Sequence, residues 1–349
     1  MSGARVMEGP RITVAIPTWN RHALLAQTLA SLQSQCAELV PGSVEVLVSD
    51  NASTDDTQAV VERVQAVGLA VRYLRNGENI GADRNFAQCF NEARGEYILM
   101  LGDDDILLDG VLAMLLARTA EARLGVICMR PYGYDHDRLA EYPGDGGDEQ
   151  TFADPGEFVA AAGQLVTFIS SCLINKSVLG GIDARQFVGS YLLHVHLLLR
   201  AALAVPRNLL VRRYCVACKR NNSGGYPVIE VFTRNLGAVL DQYKGAGLDE
   251  GAIAAFERRM LLRFHPGLVL GLRRASAGRV CEARALYETR FARYALYRCW
   301  VRPILALPRP LGLAWGLIAM TLGRVLTGDL RRGLAFITAR VRSRRHSIS

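Results

Sequence analysis

What the chain lacks narrows its role before any motif is read. Met1–Pro10 is short and polar with no apolar stretch, so no secretory signal is expected. The apolar segment Leu311–Met320 falls short of the roughly 20 residues that a bilayer-spanning helix needs. Eight cysteines are scattered without the spacing of a disulfide framework. Cys89, Cys128 and Cys172 lie inside apolar runs, which predicts reduced thiols and a cytosolic setting. Cys215 and Cys218 form a lone Cys-x-x-Cys with no second pair at zinc-ribbon distance, so they read as small core residues. There is no internal repeat and no RNA- or DNA-binding motif, and nucleic acid is not an expected partner.

Acidic residues are scarce in one part only. Residues 251–349 hold 19 arginines, no lysine and 4 acidic residues, whereas residues 1–250 hold 22 basic and 29 acidic residues. The overall charge of +8 therefore hides two electrostatically different parts with different tasks. With 349 residues, half of them hydrophobic, the chain can bury one large core or two smaller ones. We place the boundary between residues 1–225, closed by the polar stretch Lys219–Gly225, and residues 226–349, which read as helical and Arg-rich.

Strand-like and helix-like segments alternate from Arg11 to about Arg130. Ile12–Ile16, Val44–Val48, Val71–Leu74, Tyr97–Leu101 and Val126–Met129 are short apolar or β-branched runs. Leu25, Leu29, Leu32 and Cys36 stripe a helix between the first two, and Phe86, Phe90 and Ala93 stripe another before the fourth. Ser53 and Thr54, followed by Asp55 and Asp56, read as the start of the helix that presents Val60, Val61 and Val64. This order predicts an α/β fold with a mostly parallel sheet and flanking helices. Residues 131–157, rich in Gly, Asp, Tyr and Pro, read as a long loop over the site.

Ligands of open α/β sheets sit outside the carboxyl ends of the strands. Three such ends carry Pro17-Thr18-Trp19-Asn20, Asp50-Asn51 and Asp103-Asp104-Asp105. Three adjacent carboxylates resist full ionisation unless a cation neutralises them, which makes the last of these a candidate oxygen-ligand site for Mg²⁺ or Mn²⁺. A divalent ion there implies a phosphate-bearing ligand.

Four ordered stretches carry a resemblance: Ala15–Arg21 (AIPTWNR), Val48–Asp55 (VSDNASTD), Asn79–Phe86 (NIGADRNF) and Leu101–Leu107 (LGDDDIL). Through them the chain resembles family 2 glycosyltransferases of the GT-A fold, a Rossmann-like architecture, and within them the abequosyltransferase-like enzymes of O-antigen assembly. The resemblance implies an inverting, metal-dependent transfer of a sugar, of deoxy- or dideoxyhexose type, from a nucleoside-diphosphate donor. The implied acceptor is a lipid-linked (polyprenyl-diphosphate) saccharide at the inner face of a bacterial inner membrane. Aligned on its Asp-Ile-Leu tail, the acidic turn has Gly102 where the family usually has its first carboxylate. Asp104 then takes the metal position, with Asp103 or Asp105 assisting. We assign the ion to Asp104 and Asp105. Asp103 joins Pro17, Thr18, Asn20, Asp50, Asn79 and Arg84 as nucleotide-sugar contacts, Asp50 at the base or ribose and Arg84 at the diphosphate. Lys219, Arg220 and Asn222 stand about where some members close a loop over the diphosphate.

Family members activate the acceptor with an acidic pair at the start of a helix. Register on Leu197 and Arg200 puts His194 at the base position and His196 at the acid after it. Imidazole, with an ordinary pKa of about 6.5, is a competent base near neutrality. His194 is accordingly the expected base and His196 a packing residue, since residues two apart on a helix diverge. A nucleotidyltransferase would want a Gly-rich, basic N-terminal loop, and Pro17–Asn20 supplies none. A catalytically degenerate scaffold at the membrane is the remaining alternative. Trp315 among apolar residues, with Arg324, Arg331, Arg332, Arg340, Arg342, Arg344 and Arg345 beyond, suits a helix at an anionic membrane surface, with homodimer formation as the second reading.

Overall fold

Seven consecutive buried residues, Ile12–Thr18, form β1, a mainly apolar run suited to a strand covered on both faces. It feeds α1 (His22–Ala37), whose Leu25, Leu29 and Leu32 are fully buried. Burial of one such side chain contributes about 1.5–3 kcal/mol. The chain continues through β2 (Val44–Asp50), α2 (Thr57–Ala66), β3 (Val71–Arg75), α3 (Ala82–Glu92) and β4 (Tyr97–Met100). After these come β5 (Asp105–Leu107), α4 (Val111–Glu121), β6 (Val126–Tyr134), β7 (Glu149–Phe152), α5 (Pro155–Ala162), β8 (Cys172–Asn175), α6 (Leu193–Ala204) and β9 (Asn208–Lys219). The computed structural model describes residues 9–144, 146–220, 225–275 and 278–326, apart from the side chain of Arg324.

The sheet runs β3-β2-β1-β4-β8-β6-β9-β5, with β7 also on β9. Strands β1 to β4 are mutually parallel. Thr18 lies opposite Asp50, and Asp50 opposite Arg75. The register thus brings the polar ends of β1, β2 and β3 to one rim, and β4, paired with β1 through Ala15–Met100, delivers the acidic turn just beyond. Past β4 the sheet turns mixed: β8 is antiparallel to β4 and β6, and β9 is parallel to β6 but antiparallel to β5 and β7.

Two expectations are corrected. Helix α2 starts at Thr57, after Asp56, because the backbone at Ser53 is already held by Asp50 and Ala52 turns left-handed at φ 62°. Its first turn is fastened by Asp55, which accepts from the Thr57 N–H at 3.1 Å. Residues 131–157 are no single loop: β6 continues to Tyr134, β7 pairs with β9, and α5 begins at Pro155. The strand at Val126 is separated from β4 by β8.

The chain divides into two compact units, residues 9–135, 146–155 and 165–220 forming the first. The second takes in residues 136–144 and 156–164 and the described residues from 225 onward. The latter are helical, with Leu261, Val269, Tyr287, Phe291, Tyr297, Val301 and Ile304 in their core. Glu257, buried there, accepts from Arg290 at 2.6 Å, Arg293 at 2.9 Å and the Tyr294 hydroxyl. No described helix is long and apolar enough to cross a membrane. Met1–Glu8, Asn222 and the arginines from Arg331 onward, to which expectations were attached, lie outside the described residues.

Candidate active site

The acidic turn is held from three sides. Thr28 on α1 donates its hydroxyl to the carbonyls of Asp103 and Asp105, at 3.0 and 3.1 Å. Ser170 accepts from the Gly102 N–H at 2.9 Å and donates to the Asp105 carboxylate at 2.5 Å, tying the two ends of the turn together. From β1, the Thr18 hydroxyl donates to Asp103 at 2.8 Å, and the Arg21 guanidinium donates to the same carboxylate at 3.0 Å. Arg21 also pairs with Asp104 at 3.6 Å. Asp103 and Asp104 therefore converge on one cation, while Asp105 is directed to Ser170.

Gly102 is dictated by this packing. A Cβ there would lie 2.9 Å from Asp105 Oδ2 and 3.0 Å from Asp104 Oδ1, so the two carboxylates fold over a position only glycine leaves open.

Exposure divides the three acids. Asp103 and Asp105 are buried, and Asp104 alone opens toward solvent, with 17% of its side chain exposed. Burial, then the charge of Asp104, pushes Asp105 up to about 7. Burial also raises Asp103, against the pull of Arg21 and the Thr18 hydroxyl. A cluster that resists ionisation is one that a divalent cation would stabilise. No three His, Cys, Asp or Glu side chains converge as ligands among the described residues. Two carboxylates still suit Mg²⁺ or Mn²⁺, which are commonly held by one or two carboxylates plus substrate phosphates. The donor set fits such an ion, with Asp104 the carboxylate open to it. Asp105, expected as the second ligand, is engaged by Ser170, and the equally buried Asp103 by Thr18 and Arg21, so burial does not choose between them.

Around the rim, Asn20 turns left-handed at φ 53°, donates its N–H to Ser53 Oγ at 2.9 Å and accepts from the Thr54 N–H at 2.7 Å. Asp50 is fully buried, accepting from the Ser53 N–H at 2.8 Å and from the Tyr73 hydroxyl, with Arg75 at 3.5 Å. Its carboxylate thus anchors the loop Asn51–Thr54 instead of opening on the rim. Asn79 accepts from Asn51 at 2.7 Å, bracing the turn into α3. Pro17 is buried within β1, and Arg84 is exposed on α3. Lys219 and Arg220 are tied to Asp135, Lys219 through its carbonyl at 2.6 Å and Arg220 through its carboxylate at 2.9 Å.

Helix α6 is buried along most of its length, Leu193–Leu199 without a break, and an imidazole within that stretch is desolvated. His194 is 7% exposed, and burial lowers it to about 4. Its Nε2 lies 3.0 Å from the Thr167 carbonyl, which can only accept, so the proton sits on Nε2. Nδ1 carries the lone pair and has no partner. Thr167 and Ser170, three residues apart in the chain, thus hold the imidazole and the acidic turn respectively. His196 stacks on Phe187 with centroids 4.5 Å apart, a packing role.

Sequence reading assigned no role to Arg21, Thr28, Ser170 or Tyr73. Arg21 stood inside the first motif and was within reach; Ser170 and Thr28 carry no local signal.

Residues 13–178 match the sequence profile described as glycosyl transferase family 2. A Campylobacter jejuni relative, GalNAc(5)-diNAcBac-PP-undecaprenol beta-1,3-glucosyltransferase, is 30% identical over 48% of this chain and 54% of its own length. Abequosyltransferase RfbV of Salmonella typhimurium is 37% identical over 30% of this chain and 31% of its own. The chain thus spans about half the length, or less, of these curated relatives. Among solved structures, residues 1–349 of S. aureus TarS in complex with UDP-GlcNAc superpose with a TM-score of 0.60 at 15% identity, covering 91% of this chain and 92% of that one. That likeness establishes the GT-A fold.

Proposed function

With residues 13–178 forming a glycosyl transferase family 2 domain, we propose that the protein transfers a sugar from a nucleoside-diphosphate donor to a lipid-linked saccharide, with inversion. The observation that carries this reading is the pair Asp103–Asp104 gathered on Arg21 at the carboxyl rim of a parallel sheet. The C. jejuni relative, named for an undecaprenol-linked substrate, supports the acceptor class. The Salmonella relative leaves a dideoxyhexose donor as the leading choice.

Asp103 and Asp104 would hold Mg²⁺ or Mn²⁺. When bound, that ion supplies Lewis-acid stabilisation of the departing diphosphate. Arg21, which now pairs with both carboxylates, would offer its guanidinium to the phosphates, and the exposed Arg84 would offer a second. The loop anchored by Asp50, with Pro17, Thr18, Asn20 and the Asn79 brace, shapes the seat of the base. Single displacement then follows: the acceptor oxygen attacks the anomeric carbon, the bond to the diphosphate oxygen breaks, and the hydroxyl proton passes to His194, whose Nδ1, closed to solvent in this structure, must first be opened to the acceptor. An imidazole held neutral by burial is ready to accept without first losing a proton.

The test is thermal denaturation with CDP, UDP and GDP, each with Mn²⁺, with Mg²⁺ or with EDTA, followed by donor hydrolysis with the preferred nucleotide. A ligand at 100 times its Kd stabilises by about 2.7 kcal/mol. We expect one nucleotide to raise the melting temperature only with metal, and Asp104→Asn to abolish that shift. No shift with any nucleotide, together with no hydrolysis, overturns the reading in favour of a scaffold.

A further inference from the structure

The helix Arg309–Leu326 is built inside out. Gly312, Gly316, Ala319 and Gly323 recur at helical spacing and face the protein, and each is buried. Neighbouring atoms crowd the glycines: a Cβ at Gly312 would lie 2.8 Å from the Ile304 carbonyl, one at Gly316 2.8 Å from Leu270 Cδ1, and one at Gly323 2.6 Å from the Leu262 carbonyl. Only a stripe of the smallest side chains permits this approach. Trp315 fixes the helix rotation by donating its indole N–H to the Trp300 carbonyl at 3.0 Å. Six large apolar residues are turned out, while Leu313, Trp315 and Met320 are half-buried. Leu311 is 57% exposed, Leu317 50%, Ile318 48%, Leu322 43%, Val325 43% and Leu326 68%. Thr321 is the one uncharged polar residue of the helix, and no acidic residue occurs in it. An amphipathic surface helix places these two kinds of residue the other way round. A continuous apolar face of this kind marks an interaction surface.

Charge selects the occupant. The helix begins at the exposed Arg309, with the exposed Arg274 and Arg298 on neighbouring helices of the same unit. The sequence after it, residues 327–349, carries six arginines against one aspartate. A second copy of the face would bring like charge to like, whereas an anionic lipid surface is complementary to both the apolar side chains and the arginines. We propose that the outward face of Arg309–Leu326 inserts into the headgroup–acyl boundary of an anionic membrane, lying in its plane and holding the protein where a lipid-linked acceptor resides. This deepens the reading above and rests on it only for the acceptor.

The test uses the full chain, sedimented with vesicles of phosphatidylglycerol and phosphatidylcholine or of phosphatidylcholine alone, and the double variant Leu317→Glu/Ile318→Glu. Both side chains face outward, so the fold and the metal-dependent nucleotide shift should persist. We expect the wild type to bind the anionic vesicles, with affinity falling at high salt, and the double variant to bind at least about tenfold more weakly. A thiol probe on Leu322→Cys, in a chain whose exposed cysteines carry Cys281→Ser and Cys299→Ser, should be quenched by brominated acyl chains, a readout that a purely electrostatic tail would not give. Equal binding by wild type and variant overturns the proposal, as does absence of binding. Absence of binding with a mass that drops to monomer in the variant assigns the face to a second copy. Absence of binding without that drop leaves it to residues 327–349. Loss of nucleotide binding and hydrolysis with vesicle binding retained sinks the catalytic reading alone.

Discussion

Replacement of Gly102 by Asp restores a carboxylate where family 2 enzymes usually have one, yet the structure forecasts harm. The new Cβ would start 2.9 Å from Asp105 Oδ2 and 3.0 Å from Asp104 Oδ1. Asp105 cannot yield freely, because its carboxylate is buried and bound to Ser170 at 2.5 Å. A hydrogen bond to a charged group is worth about 1.5–3 kcal/mol. A fourth negative charge about 4 Å from the others adds up to about 4 kcal/mol at an effective dielectric of 20. Gly102→Ala isolates the steric part. Displacement of catalytic groups by about 1 Å commonly costs about 100-fold in rate. Donor hydrolysis and transfer, measured as kcat/KM at saturating Mn²⁺ beside a melting curve, should show both variants folded. Gly102→Ala is expected to be down about 10- to 100-fold and Gly102→Asp further still. Retention of transfer within threefold by Gly102→Asp would refute the reasoning, since it would mean that the turn accepts a side chain without disturbing Asp104.

Ser170→Ala should lower kcat and raise the Mn²⁺ concentration needed for half-maximal rate, whereas Ser170→Thr, which keeps the hydroxyl, should restore much of both; a metal titration reads this directly. His194→Ala should reduce transfer by about 10²–10⁴-fold while leaving the metal-dependent nucleotide melting shift intact, and loss of that shift as well would assign the residue a structural role only. His265 gives a pH prediction. It is buried against Tyr287, whose hydroxyl lies 2.7 Å from Nδ1, and burial lowers it to about 3. The unfolded chain binds that proton near pH 6.5, so stability is unaffected above that pH and falls as pH drops toward 3. At 1.36 kcal/mol per unit the loss is about 2.7 kcal/mol by pH 4.5. Melting of wild type and His265→Asn at pH 7 and 4.5 should show a smaller acid-induced drop in the variant, and equal drops would exclude His265 as the cause.

The parallel half of the sheet was legible because each strand is an apolar run closed by a polar motif, and period and punctuation survive in any tertiary setting. Strands β5 and β7 were not: three residues inside an acidic motif and the tetrapeptide Glu149–Phe152 have no strand pattern, and it is pairing with the distant β9 that makes them strands. The site followed the same rule. That Asp103, Asp104 and Asp105 form a cluster is a local fact; their division of labour is decided by Arg21 and Ser170, 82 and 65 residues away. Likewise the register of α6 pointed to His194, but the Thr167 carbonyl, 27 residues distant, settles which nitrogen bears the proton, and the apolar helix settles that the ring is neutral. An imidazole lowered to about 4 is a weaker base than a free one. It gains as a catalyst only if the acceptor hydroxyl meets Nδ1 already oriented and water is kept out, so geometry must supply what basicity does not. That inverts the expectation drawn from an unperturbed histidine. The pH profile of transfer should then stay flat across the ordinary histidine range instead of bending near 6.5, and a bend there would show that another group accepts the proton.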